Sequence, residues 1–182
     1  MNLHRLRPGG DGTAFEATMG LDRTAGLFPV QKPCQIEAMD IARIERRIGV
    51  RATPDQIWAL IADLPGWDRW NPVETGLEGA IAFGADIALT ERIEGLPERR
   101  AATRVGDWQP YSQLVWAENR GLWFRSLRYF EIQTLDEPTS CVVANGFIFS
   151  GLRGEMFFDK HRKSLRHAVD AVAEAWKAAA EA

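Results

Sequence analysis

The chain has 182 residues, enough for one domain of ordinary size. It carries 22 Lys and Arg against 25 Asp and Glu, a net charge of −3, so no strong basic field is present to hold a nucleic-acid backbone. No apolar run approaches the ~20 residues of a membrane span, which excludes stable membrane insertion by a helix. The first residues, Met1 to Asp11, are basic and Gly-rich and lack the apolar stretch of a secretory signal. Cys34 and Cys141 stand far apart, form no metal-ligand spacing and read as free thiols of a cytoplasmic protein. Seven Trp and nine Phe are a heavy aromatic load, which implies either an aromatic core or an aromatic cavity.

Residues 1–35 hold Pro8, Gly9, Gly10, Gly12, Gly20, Gly26, Pro29 and Pro33 with no sustained period. They read as an extension, loosely ordered or draped over the surface, and residues 36–182 as the domain proper. Met39, directly before the first regular strand, is an alternative start. Ile36 to Val50 alternates as a strand. Thr53, Pro54 and Gln56 then form a capping box with proline at the first helical position, and Ile57, Trp58, Leu60 and Ile61 make the apolar stripe of a short helix. Pro65-Gly66 ends it. A helical turn at Trp67 to Trp70 follows and stops at Asn71-Pro72.

Strand patterns and turns then alternate: Val73 to Ala80, Asp86 to Glu94, Glu98 to Trp108, Gln113 to Glu118, Leu122 to Leu135 and Ser140 to Phe149. Tight turns between successive strands predict an antiparallel meander. From Gly154 to Ala180, Phe158, His161, Leu165, Ala168, Val169, Val172 and Trp176 recur at helical spacing on one face. The predicted fold is α+β: a curved antiparallel sheet wrapped around a long C-terminal helix, with two short helices after the first strand. Such a grip leaves a pocket of roughly 300–1,000 Å³ between sheet and helix.

The run Val50 to Asp63, followed by Trp67-Asp68-Arg69-Trp70-Asn71-Pro72, resembles the opening of the START-like superfamily. More narrowly it resembles the polyketide cyclase/dehydrase and lipid-transport (SRPBCC) branch. His161-Arg162 through Leu165 to Trp176-Lys177 resembles its closing helix. The resemblance implies a helix-grip fold with an apolar pocket for a sterol, lipid, polyketide or other hydrophobic small molecule. The chain lacks the His–carboxylate iron pair and the iron–sulfur ligands of the oxygenase branch, so no metal or other cofactor is expected. The extension has no counterpart in the resemblance.

His161, on the apolar face one turn before Leu165, is the candidate general base, with a hydrogen-bonded structural histidine as the bland alternative. Ser126, Arg128, Phe130 and Ile132 share one parity; Cys141, Val143, Asn145, Phe147 and Phe149 share another. If these parities face inward, Arg128 and Asn145 are polar groups in an apolar wall; otherwise Arg128 pairs with Glu91 or Glu131. Glu91 lies on an inward parity too, where a salt bridge is expected. The candidate ligand-binding set is Trp70, Glu91, Trp116, Arg128, Phe130, Asn145, Phe147, Phe158, His161 and Leu165. These residues suit a carrier or sensor of a hydrophobic or aromatic small molecule, monomeric or homodimeric. The alternatives are a cofactor-free cyclase or dehydratase, and a protein-interaction module acting through the outer sheet face, whose marks would be a cavity too small for ligand and an exposed apolar patch.

Overall fold

The computed structural model describes residues 42–135 and 139–182. The expected extension, the first residues of the expected first strand and the Asp136-Glu137-Pro138 turn lie outside them. Seven strands form one antiparallel sheet: β1 (Ala42–Val50), β2 (Glu74–Gly79), β3 (Asp86–Glu91), β4 (Arg99–Gln109), β5 (Gln113–Asn119), β6 (Arg125–Thr134) and β7 (Cys141–Ser150). Their order is β1-β7-β6-β5-β4-β3-β2. The long helix α2 (Leu152–Ala180) lies against β1 and β7. The short helix α1 (Pro54–Ala62) and a 3-10 helix, Leu64–Arg69, follow β1. This is the α+β helix-grip architecture that the order of elements predicts.

Local chemistry accounts for the elements. Thr53 Oγ1 accepts from Gln56 N while the Gln56 side chain accepts from Thr53 N, so the capping box forms and starts α1. The strands alternate because one face is core: Ile87 and Leu89 on β3, Leu114 and Trp116 on β5, and Phe130 on β6 are buried. The outer face carries ion pairs instead, among them Arg47–Glu131, Arg104–Asp86 and Arg100–Glu78. Tyr129 is the outer-face exception. It is buried, accepts from Arg43 Nε at 3.0 Å and donates to Glu45 Oε2 at 2.6 Å.

Two expectations change. Leu122 and Trp123 do not belong to β6, which starts at Arg125. Gly121 and Trp123 both take positive φ (118° and 57°), which no strand accommodates, and the two side chains end up exposed. The C-terminal helix is also not uniform. His161 has φ −113° and ψ 15°, outside the helical region, so α2 kinks there.

Candidate functional site

The predicted inward parities of β3, β6 and β7 are the ones observed: Glu91, Ser126, Arg128, Phe130, Asn145 and Phe147 are all buried. Among the described residues, however, the interior holds no space of the expected size between sheet and helix. The enclosed space lies on the inner face of the sheet, with no α2 residue in its walls, and is about 10 Å³, room for one water molecule. Its walls include Glu74, Leu89, Glu91, Arg99, Trp116, Arg128 and Phe147. The aromatic load explains the lost volume. Trp67 packs on Trp70, Trp116 and Phe130 with ring centroids 5.0–5.6 Å apart, and Phe130 on Trp176 at 5.7 Å. The rings fill the grip.

Two polar assemblies cross this aromatic interior. In the first, Arg128 Nε donates to Glu74 Oε1 at 2.5 Å and Nη1 donates to Asn145 Oδ1 and the Gly146 carbonyl, each at 3.1 Å. Asn71 Nδ2 donates to the other Glu74 oxygen at 2.8 Å, and Asn145 Nδ2 to the Val169 carbonyl of α2 at 3.0 Å. Arg128 therefore pairs with neither Glu91 nor Glu131. Its guanidinium lies 4.2 Å from the Phe130 centroid and 4.3 Å from that of Phe147. Among the described residues, Nη2 has no hydrogen-bond partner, and the same holds for the buried indole nitrogens of Trp70 and Trp176. The Arg128 guanidinium and the Trp176 ring both pack on Phe130, and Trp70 stacks in turn on Trp176.

The second assembly is a closed ring of charge at the ends of β3, β4 and β5. Arg99 binds both Glu91 and Glu118, at 2.9 and 2.6 Å. Arg120 also binds both, at 3.0 and 2.9 Å, and donates to Ser126 Oγ at 2.9 Å. Burial pushes the Glu118 carboxyl up, but the two guanidinium groups outweigh it and hold its pKa below the usual range. Arg120 also lies over the rings of Phe124, Phe149 and Phe157, 5.5–5.7 Å from their centroids.

The candidate residues thus divide. Glu91, Trp116, Arg128 and Phe147 border the enclosed space together. Phe130 and Asn145 support Arg128. Trp70, Phe158 and Leu165 pack in the core around it. His161 is not part of it. It stands half-exposed at the kink, 4.7 Å from the Phe157 ring, and borders an open concavity with Lys160, Arg162 and Lys163. The helical period points His161 inward, but the kink interrupts that period. Glu74, Arg99, Glu118 and Arg120 are site residues that the pattern analysis missed. Glu74 opens β2 beside the Asn71-Pro72 stop, and its alternation with Leu77 is broken by a shift of register between Thr75 and Glu78.

The kink also separates two kinds of attachment. Beyond it, α2 is tied to the sheet by polar bonds: Asn145 to the Val169 carbonyl, Arg166 to the Glu45 carbonyl at 2.9 Å and Lys177 to the Gly49 carbonyl at 2.7 Å. Before it, the side-chain contacts are mainly aromatic, Phe157 on Phe124 and Phe149, and Phe158 on Phe149.

No protein-family model and no curated protein sequence matches this chain. Solved structures do. The di-domain ARO/CYC StfQ from the steffimycin biosynthetic pathway superposes with a TM-score of 0.61 at 12% identity, over 78% of this chain and 51% of that one. The di-domain ARO/CYC BexL from the BE-7585A biosynthetic pathway gives 0.57 at 13%, over 73% and 45%. A START superfamily protein from Mycobacterium smegmatis gives 0.52 at 18%, over 72% and 97%. The chain spans about half the length of the two di-domain proteins it matches. Its fold is the START-like helix-grip fold. No helix among the described residues is long and apolar enough to cross a membrane.

Proposed function

We propose that the protein binds a hydrophobic or aromatic small molecule carrying an oxygen acceptor, as a carrier or sensor, in the aromatic interior between the sheet and α2. The observation that carries this reading is that three buried donors, Arg128 Nη2 and the indole nitrogens of Trp70 and Trp176, lack an acceptor among the described residues. Each unpaired buried donor costs about 1–3 kcal/mol, and an acceptor on a bound ligand removes that penalty. The interior is closed without ligand, so entry requires residues 152–160 to lift at His161, exchanging Phe157 and Phe158 contacts for ligand contacts. A reading as cyclase is less well supported. Each carboxylate bordering the enclosed space is already ion-paired with arginine, leaving none there as a general base. The small cavity suits the protein-interaction alternative, but the outer sheet face is covered by ion pairs rather than an apolar patch.

Two fluorescent probes test the proposal: uncharged N-phenylnaphthylamine and its anionic relative anilinonaphthalene sulfonate. Saturable binding of the sulfonate by the folded protein, tighter than that of the oxygen-free amine, supports it, with Arg128→Gln combined with Glu74→Gln weakening the sulfonate selectively. Absence of binding by both probes at micromolar concentration overturns it.

A further inference from the structure

The outward ridge at the start of α2 has a layered composition. At 100° per residue, Leu152, Met156 and Lys160 fall within about 80° of one another, opposite the buried Gly154 and Phe158. Leu152 is 60% and Met156 64% exposed. Beside them stands the tip of the β5–β6 loop, where Leu122 is 71% and Trp123 65% exposed. The two elements are joined, because the Trp123 carbonyl accepts from Arg153 N at 3.2 Å. The loop backbone is fixed further by Arg120 N to the Phe124 carbonyl at 2.8 Å and Phe124 N to the Gly121 carbonyl at 3.2 Å. A non-glycine residue is thus held at φ 57° while two large apolar side chains face water.

Cations follow the apolar residues. Lys160, Arg162, Lys163 and Arg166 follow one another without an acid between them and outnumber the exposed Glu155 and Asp159 that precede them on the helix, in a chain whose net charge is −3. Lys160, Arg162 and Lys163 are exposed, as are Arg125 and Arg153 beside the loop. At 1.5 Å per residue, Lys160 stands about 6 Å and Lys163 about 10 Å beyond Met156. A Trp-bearing apolar tip flanked by cations is the complement of an anionic bilayer surface.

We propose that this end of the molecule docks peripherally on an anionic lipid surface, with Leu122, Trp123, Leu152 and Met156 in the acyl boundary and Lys160 and Lys163 at the phosphates. The surface is separate from the enclosed space, so this proposal stands or falls without any bound ligand. The test is cosedimentation of the full chain with phosphatidylcholine vesicles, with and without phosphatidylglycerol. Binding is expected only with the anionic lipid, and it is lost near 1 M salt, where screening acts within ~3 Å. Leu122→Ser with Trp123→Ser, and separately Lys160→Gln with Lys163→Gln, each weaken partition roughly tenfold while the melting temperature holds. No binding to anionic vesicles at low salt overturns the proposal. So does binding that neither pair of substitutions weakens. Retention by heparin without vesicle binding also overturns it, and assigns the cations to a soluble acidic macromolecule.

Discussion

Arg128 and Glu74 meet at 2.5 Å with side chains 4% and 2% exposed, joining β6 to β2, strands that do not pair with each other. Removing one partner leaves the other charge buried. Arg128→Met should therefore lower unfolding stability by about 3–5 kcal/mol. Combining it with Glu74→Gln, which keeps an acceptor for Asn71, should restore most of that loss. Denaturant melts of the single and double variants measure the difference, and equal losses in both would show that the ion pair is not the cause.

The acid limb of stability should depend on Glu45. Burial pushes its carboxyl up, but hydrogen bonds from Tyr129, Arg47 and Arg43 prevail and lower its pKa from 4.5 to about 2. A carboxyl with a folded value below its unfolded value contributes stability that is full above pH 4.5 and lost as pH falls towards about 2. Glu118 is shifted in the same direction. Glu45→Gln should flatten the stability profile within that window and leave its slope unchanged near neutrality. Thermal melts across the acid range report this directly.

His161→Ala should change stability by less than about 1 kcal/mol, because the ring is half-exposed and its described ring contact is with Phe157. Probe binding should persist. Abolished binding with an intact fold would return His161 to the site.

Hydrogen exchange should split α2 at the kink. Amides of residues 152–160, held mainly by aromatic contacts, should exchange faster than those of 164–176, where Asn145, Arg166 and Lys177 anchor the helix. Uniform protection along α2 would rule out the entry route.

Gly151→Ala should cost about 1–3 kcal/mol. Gly151 sits at φ 82°, and a Cβ there would collide with the Trp123 carbonyl. Vesicle binding should weaken with it if the loop tip is displaced.

Much of this was legible from local pattern. The Thr53–Gln56 box follows from spacing alone, and alternation puts Ser126, Arg128 and Phe130 on one face and Asn145 and Phe147 on one face, while leaving open which face is inward. The charge ring was not legible. Glu91, Arg99, Glu118 and Arg120 come from three strand ends and a loop, and only the curvature of the sheet brings them together. The cavity was misjudged because residue type does not state volume. Trp67, Trp116, Phe130 and Trp176 converge on one space, which no periodicity reveals. The kink was hidden because apolar spacing continues through His161 unbroken.

The strand order has a consequence for how the chain assembles. From β2 to β7 every strand pairs with its neighbour in sequence, so six strands can zip together by successive hairpins. β1 is different: its partner is β7, with Val50 opposite Cys141 and Ala42 opposite Phe149. That pairing closes the largest loop in the sheet and carries its greatest entropic barrier. β1 therefore docks late. A truncation such as Ile44→Ala should speed unfolding far more than it slows folding. A growing chain would hold β1 unpaired until β7 has emerged, which makes this strand the one most exposed to pairing with a second chain during synthesis.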